Sequence, residues 1–316
     1  MSSQPILSIC IPTYNRSDYL RKCIDAIVSQ KEFDERVEII ISDNCSSDDT
    51  EEFCNSICSI YKNIRYFRNG ENVADENFTL ALQRATGLLR KLTNDTVVFK
   101  PNALSYMIRA AEENLSEKPL LYFLSSGKQP NGRHDVFSID EFVDAVGVNM
   151  TWIRSLALWE EDCKDLRILK DNAHTQMAQI PLLLYQVESK GHAVIYDEPI
   201  MDSLPVEKKN LTYGLHQVFY NNFLGHLRTY LNKGYLSKSC YERLRKKLLL
   251  EFFCNWIIIK ENNDGQYIFS DENLQRLIES EYKRDNYYLE FKAKLFKMRV
   301  ASFVNKYVRP KRNQKN

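Results

Sequence analysis

No strong net charge, no paired cysteine motif and no membrane-length apolar run occurs in these 316 residues. The 43 basic and 42 acidic side chains leave a formal charge of +1, so the chain as a whole gives no electrostatic argument for nucleic acid as a partner. Eight cysteines stand at 10, 23, 45, 54, 58, 163, 240 and 254 with no CxxC pair, and Cys54 and Cys58 are one helical turn apart. That spacing excludes the usual zinc frameworks and a disulfide scaffold, and it predicts reduced, cytosolic thiols. The opening MSSQPILSIC has neither a basic region nor a long apolar one, which predicts no signal peptide. The longest apolar stretch, LLLEFFCNWIII at 248–259, is interrupted by Glu251 and Asn255 and is too short to span a bilayer. Internal repeats and low-complexity segments are also missing.

What is present is an ordinary core composition, 44% hydrophobic, and a regular alternation in the first half. ILSICIP (6–12) reads as a buried strand ended by Pro12. SDYLRKCIDAIVSQ (17–30) reads as an amphipathic helix with Ser17 as N-cap, because Leu20, Cys23, Ile24, Ile27 and Val28 recur at helical spacing. VEIIISD (37–43) is a second strand, and 46–61 a helix whose acidic first turn suits the helix dipole. IRYFRN (64–69), 88–92 and 118–124 read as further strands, and 75–86 and 102–114 as helices. This order predicts an α/β fold, a mainly parallel sheet with helices on both faces. Further on, 125–135 reads as a loop, Ser138 to Glu141 as a capping box, and 152–159 as a strand. One helix is expected over 171–191, ending at Gly191 despite Pro181, then a strand over 193–199. From about 206 the pattern turns helical, at 212–232, 237–261, 271–283 and 286–308. EKKN (207–210) therefore marks the expected boundary between a domain over 1–206 and a helical region over 207–316.

Ligands of such sheets bind beyond the carboxyl ends of the strands. That rule gathers PTYNRS (12–17), SDNCSSDD (42–49) and TNDT (93–96) into one crevice, although three ordinary polar loops would read the same way.

LSICIPTYNRSDYLRKCIDAIVSQ, VEIIISDNCSSDDT and NGENVADENFTLALQRATG together resemble the family 2 glycosyltransferases of the GT-A fold, over about 6–104 and more weakly over 150–200. The resemblance implies inverting transfer of a sugar from a nucleotide-sugar donor to a hydroxyl of a glycan or lipid-linked acceptor, in capsule, O-antigen or related synthesis. It implies that Pro12, Thr13 and Tyr14 line the base and ribose, with Tyr14 offering an aromatic face. Arg16 would meet a phosphate with its planar fork, or else be a solvated surface side chain. Asp43 would accept a uracil N–H, which makes UDP the default nucleotide. Asn72 falls at a polar donor-site position, Asn77 at a site-loop position with a structural alternative, and Ser46 and Asp48 at a helix-capping turn.

Register from Pro101-Asn102-Ala103-Leu104 places Asn94-Asp95-Thr96 in the family's Asp-x-Asp slot. The resemblance then implies that Asn94 and Asp95 face the diphosphate and that Asp95 and Thr96 hold Mg²⁺ or Mn²⁺, weakly, since one carboxylate remains of the usual two. The same three residues are also good turn chemistry. For the base, the family's carboxylate slot falls on Gln179-Ile180, which cannot serve. Just upstream, His174 titrates near neutral pH, and Asp171 would sit one turn away on the same helix face. Asp162, in EEDCKDLR, ranks third. A nucleotidyltransferase of the same fold would want a glycine-rich loop after the first strand, and PTYNRSDYL has none. A catalytically decayed nucleotide-sugar or glycan-binding protein stays open as the non-enzymatic alternative.

Nine Lys/Arg stand against Glu290 alone between Asn286 and Asn316. Leu289, Phe296, Val300, Phe303 and Tyr307 share one helical stripe in that segment. Such a stripe lies on an anionic membrane surface, or packs on neighbouring helices or a second subunit of a homo-oligomer. The expected location is the cytoplasm, with peripheral attachment to the inner face of the plasma membrane as the membrane-bound version.

Overall fold

The computed structural model describes residues 4–127, 132–304 and 306. Residues 128–131 of the expected loop, Tyr307 of the apolar stripe and the basic residues 309, 311, 312 and 315 lie outside the described residues. The chain divides into two compact units, Met1–Val206 and Glu207–Asn316.

The first unit begins β1 (Leu7–Thr13), α1 (Ser17–Val28), β2 (Val37–Asp43), α2 (Thr50–Ile60), β3 (Ile64–Arg68), α3 (Glu76–Arg84) and β4 (Leu89–Leu92). It continues with β5 (Val97–Phe99), α4 (Ala103–Glu113), β6 (Leu120–Phe123), β7 (Arg133–Val136), α5 (Ile139–Val146) and β8 (Leu156–Trp159). It closes with α6 (Arg167–Asp171), α7 (Gln179–Lys190), β9 (Ala193–Tyr196) and β10 (Met201–Ser203). Eight strands form one sheet in the order β3-β2-β1-β4-β8-β6-β9-β7. β1 pairs in parallel with β2 and β4, and β2 with β3. β8 runs antiparallel between β4 and β6, and β7 antiparallel to β9. Strands covered on both faces must be apolar throughout, and β2 is buried along its whole length. Gly87, just before β4, is a packing requirement, since a Cβ there would fall 2.4 Å from the Ser8 hydroxyl.

Several expected elements differ. The helix foreseen over 171–191 is three pieces: α6 ends at Asp171, a 3₁₀ turn covers Ala173–Thr175, and α7 starts only at Gln179. Pro181 explains the late start, because proline fits a helix's first turn and breaks its interior. Asp171 and His174 therefore do not share one helix face. Ser17 is the first residue of α1 and not its N-cap; its N–H is met instead by the Asp48 carboxylate at 3.0 Å. The strand expected over 152–159 begins at Leu156, after a tight turn over Ile153–Ser155. The expected loop 125–135 gives way to β7 at Arg133. Ser138 does cap α5, while the Glu141 carboxylate reaches back to the Phe137 N–H.

The second unit holds β11 (Lys209–Asn210), a π-helical stretch (His216–Phe223) running into α8 (Leu224–Asn232), and α9 (Lys238–Lys247). A second π-helical stretch (Leu248–Phe253), α10 (Cys254–Asn262), β12 (Tyr267–Ile268), α11 (Leu274–Tyr282) and α12 (Tyr288–Phe303) follow. Phe223, Phe253, Tyr282 and Phe291 are fully buried and anchor its core. No helix among the described residues is long and apolar enough to cross a membrane.

Candidate functional site

β1, β2 and β4 are parallel neighbours, so their carboxyl ends deliver Thr13, Asp43 and Thr93 to one edge of the sheet. The loops leaving that edge are cross-linked by side chains. Thr13 donates to Asp95 at 2.9 Å, and Arg16 donates to the other Asp95 oxygen at 3.1 Å. Asp95 is buried, and burial pushes its carboxyl above the ordinary range against the pull of Arg16 and Thr13. Arg16 remains one-third exposed, so this cation faces both the carboxylate and the solvent.

Asp43 anchors the second loop. Its Oδ1 accepts from the Ser46 N–H and hydroxyl, and its Oδ2 from Tyr66 and Arg68 at 2.7 and 3.0 Å. Of these donors Arg68 is one-third exposed, while Asp43 has no exposed surface. Arg68 also borders an open cavity of about 470 Å³ lined by Asn69, Gly70, Glu71, Val73 and Arg84. The Ser46 hydroxyl also accepts the Asn15 N–H, and Asn15 in turn accepts the Ser47 N–H. Asp48 caps the start of α2 through Thr50, as its turn position implies.

Asn44 holds the third loop. Its amide nitrogen donates to Asn72 Oδ1 at 2.7 Å and to the Ala74 carbonyl, and its oxygen accepts from Asn69 and the Val73 N–H. Its own N–H donates to the Thr13 carbonyl at 2.9 Å, which joins this loop to the first. Asn72 is exposed and bonded to Asn44, whereas Asn77 is buried and bonds Ser42 and Asn69. Asn15, Cys45 and Ala74 all have positive φ (51°, 66° and 49°). Such strain persists only where surroundings over-determine it, and three cases in adjoining loops mark a preorganised edge.

Tyr14 presents a ring 44% exposed beside these loops, next to the half-buried Pro12. Thr96 is buried, with its carbonyl bonded to the Leu204 N–H. The Asn94 Oδ1 and Thr93 hydroxyl are buried without a hydrogen-bond partner among the described residues. Hard-cation donors of the right type thus sit beside Asp95 in sequence, but with a single negative charge. Among the described residues no group of three His, Cys, Asp or Glu could hold a metal.

The structure does not bring all expected residues together. Asp162 is a correction: β8 runs antiparallel to β4 with Trp159 opposite Leu89, so the turn after Trp159 lies at the opposite edge of the sheet. There Asp162 accepts the Trp159 N–H and pairs with Lys190 at 3.0 Å. Asp171 and His174 are exposed, and among the described residues no hydrogen bond or ion pair joins their side chains to Thr13, Arg16 or Asp95. Their segment does lie beside the start of α3, through a 2.7 Å pair between Lys170 and Glu76.

Three residues went unread in the sequence. Asn44 looks like any loop asparagine until its four bonds are seen. Asp75, at the start of α3, is a half-buried carboxylate with no side-chain hydrogen bond among the described residues, and burial pushes its pKa up. Lys91 is fully buried in β4; its ammonium reaches the Leu92 carbonyl at 2.7 Å and the Arg154 carbonyl. Its sequence signal is weak, since β4 reads Leu-Arg-Lys-Leu and its neighbour Arg90 is also a cation.

Residues 8–134 match the family model "Glycosyl transferase family 2". Over 88 residues the chain is 42% identical to abequosyltransferase RfbV of Salmonella typhimurium, covering 26% of this chain and 25% of that protein. Over 111 residues it is 33% identical to the GalNAc(5)-diNAcBac-PP-undecaprenol beta-1,3-glucosyltransferase of Campylobacter jejuni, covering 34% and 35%. The chain thus spans only a quarter to a third of the length of these curated relatives. The crystal structure of S. aureus TarS 1–349 in complex with UDP-GlcNAc superposes with a TM-score of 0.54 at 15% identity, covering 97% of this chain and 93% of that one. That likeness shows the fold, a GT-A glycosyltransferase architecture with a helical C-terminal region.

Proposed function

From a chain whose residues 8–134 match the family model of the family 2 glycosyltransferases, we propose an inverting glycosyltransferase that uses a nucleoside-diphosphate sugar, UDP-linked by preference. The acceptor is a hydroxyl of a glycan or lipid-linked glycan in cell-surface polysaccharide synthesis. The names of the Salmonella and Campylobacter relatives support a sugar transferase, the second on an undecaprenol-linked glycan, and the TarS complex supports a UDP-sugar donor.

The observation that carries the proposal is the Thr13–Asp95–Arg16 cluster at the carboxyl edge of β1 and β4. Tyr14 stacks on the base. The base reaches Asp43 by taking the place of the partly exposed Arg68, next to the cavity that Arg68 borders. Arg16 neutralises the diphosphate. Asp95, with the oxygens of Asn94 and Thr96, is where Mg²⁺ or Mn²⁺ would be held, weakly for want of a second carboxylate. When bound, the cation supplies Lewis-acid stabilisation of the leaving group. The acceptor oxygen attacks the anomeric carbon as the bond to the diphosphate breaks, and a base takes the hydroxyl proton. His174 and Asp171 are the sequence-derived bases. Asp75, half-buried and without a side-chain hydrogen bond among the described residues, is a third candidate available to a substrate hydroxyl.

The test combines titration and turnover. UDP is titrated into wild type and Asp95→Ala with Mn²⁺ or with EDTA, and UDP release from UDP-sugars is followed in wild type and His174→Ala with an acceptor panel. Wild type is expected to bind UDP more tightly with Mn²⁺, and Asp95→Ala to lose that gain. His174→Ala is expected to turn over about 100-fold more slowly. Equal UDP binding with Mn²⁺ and EDTA removes the metal assignment, and a wild-type rate in His174→Ala removes that base. UDP binding without turnover on any donor favours the decayed binding protein.

A further inference from the structure

Helix α12 has two apolar faces, and the fold uses one. Phe291 and Leu295 are buried in the second unit. Leu289, Phe296 and Val300 are 79%, 67% and 47% exposed. At 3.6 residues per turn these three fall within about 40° of one another, and about 140° round from the buried pair. Large apolar side chains exposed singly are ordinary, but three in register on one helix are a surface waiting for a partner.

The borders of the stripe identify the partner's chemistry. Lys292 and Arg299 flank it on one side and Lys297 on the other, within about 60–80° of its centre. Between Tyr288 and Phe303 the helix carries Lys292, Lys294, Lys297 and Arg299 against Glu290, a net charge of +3. Lys292 and Arg299 are tied to Glu279 and Glu261, and Glu290 to Lys246. Lys294 and Lys297 have no carboxylate at ion-pairing distance among the described residues. A second copy of the chain fits poorly: a two-fold contact would press like-charged rims together, around an apolar patch of only four side chains once Phe303, 59% exposed, is added. A bilayer with acidic headgroups takes both features at once, the apolar stripe entering the acyl boundary and the lysines meeting the headgroups.

We propose that the outer stripe of α12 seats this protein on an anionic lipid surface, with the helix lying in the plane of the interface. The inference stands on the second unit alone and goes beyond the donor-site reading, since it survives whichever nucleotide the first unit binds.

The experiment is vesicle flotation of the full chain at moderate salt. Vesicles are phosphatidylcholine alone, or phosphatidylcholine with one-third phosphatidylglycerol. Wild type is expected to float with the acidic vesicles and to stay behind with the neutral ones. The double variant Leu289→Ser with Phe296→Ser is expected to lose about tenfold in bound fraction. Lys292→Glu with Lys297→Glu is expected to lose the preference for acidic lipid. Both variants alter exposed positions, and unchanged far-UV dichroism checks that they fold. Failure of wild type to float, or flotation of the serine variant at the wild-type level, overturns the proposal. So does a wild-type dimer, seen by sedimentation velocity, that the serine variant breaks while vesicles bind neither protein. UDP titration of the same samples tests the donor site separately.

Discussion

Lys91 shows how a single side chain reports on its surroundings. Burial lowers its pKa to about 7, because a charged ammonium loses its hydration there, and the nearby Arg154 cation lowers it further. In the unfolded chain a lysine titrates near ~10.4. Between those values the unfolded state binds more protons, so stability rises with pH across that window and is lost as pH falls through about 7. Lys91→Met should remove this slope. The check is urea denaturation of both proteins at pH 7 and pH 9: the stability difference, variant minus wild type, should shrink at the higher pH. A difference independent of pH would show that Lys91 stays charged in the fold. Asp95 illustrates the reverse situation, a buried carboxylate kept company by a cation and a hydroxyl. Its special status was readable from its position in TNDT. The grip of Thr13 and Arg16 on it was not, because those residues lie about eighty positions away in sequence.

At the scale of elements, the strands and helices up to residue 124 follow the periodicity closely. In α1 the apolar residues repeat at 3.6 and burial follows that period, whereas β1 and β2 are continuous apolar runs buried almost throughout. The pattern failed where proline and tight turns decide the backbone, at Pro181 and across 153–155. The site loops behave as one braced element. The Asn44 side chain makes four bonds to the loop after β3, and that loop holds Ala74 at positive φ. Asn44→Ala should destabilise the protein by about 2–4 kcal/mol, since it leaves buried donors and acceptors without partners. It should also weaken UDP binding severalfold. Thermal denaturation and UDP titration of the variant check both, and a change within ~0.5 kcal/mol would show that water replaces the amide.

At the scale of the molecule, the contacts separate residues 1–206 from 207–316. Thr13, Arg16, Asp43, Asn44 and Asp95 all lie in the first unit, and the amphipathic α12 lies in the second. We propose that the first unit is a self-sufficient donor-binding domain. The fragment 1–206 should be soluble and bind UDP within about twofold of the full chain, because no residue of the cluster is supplied from beyond Val206. Aggregation of the fragment, or a loss of UDP binding beyond tenfold, would tie its stability to the helical unit.

The sequence by itself determined the alternating α/β plan, the strand ends that gather the site, the likeness of residues 8–134 to a glycosyltransferase family model, and the apolar stripe of the last helix. Local periodicity and short motifs carry those, and both are written in neighbouring residues. Tertiary structure decided which polar groups meet. It moved Asp162 to the far edge of the sheet, separated Asp171 and His174 from one face, and left the Asp75 carboxylate without a hydrogen bond among the described residues. It also closed Asp95 between Thr13 and Arg16. The physical reason is that strand direction and long-range hydrogen bonds select partners across many tens of residues, and no local pattern encodes that choice.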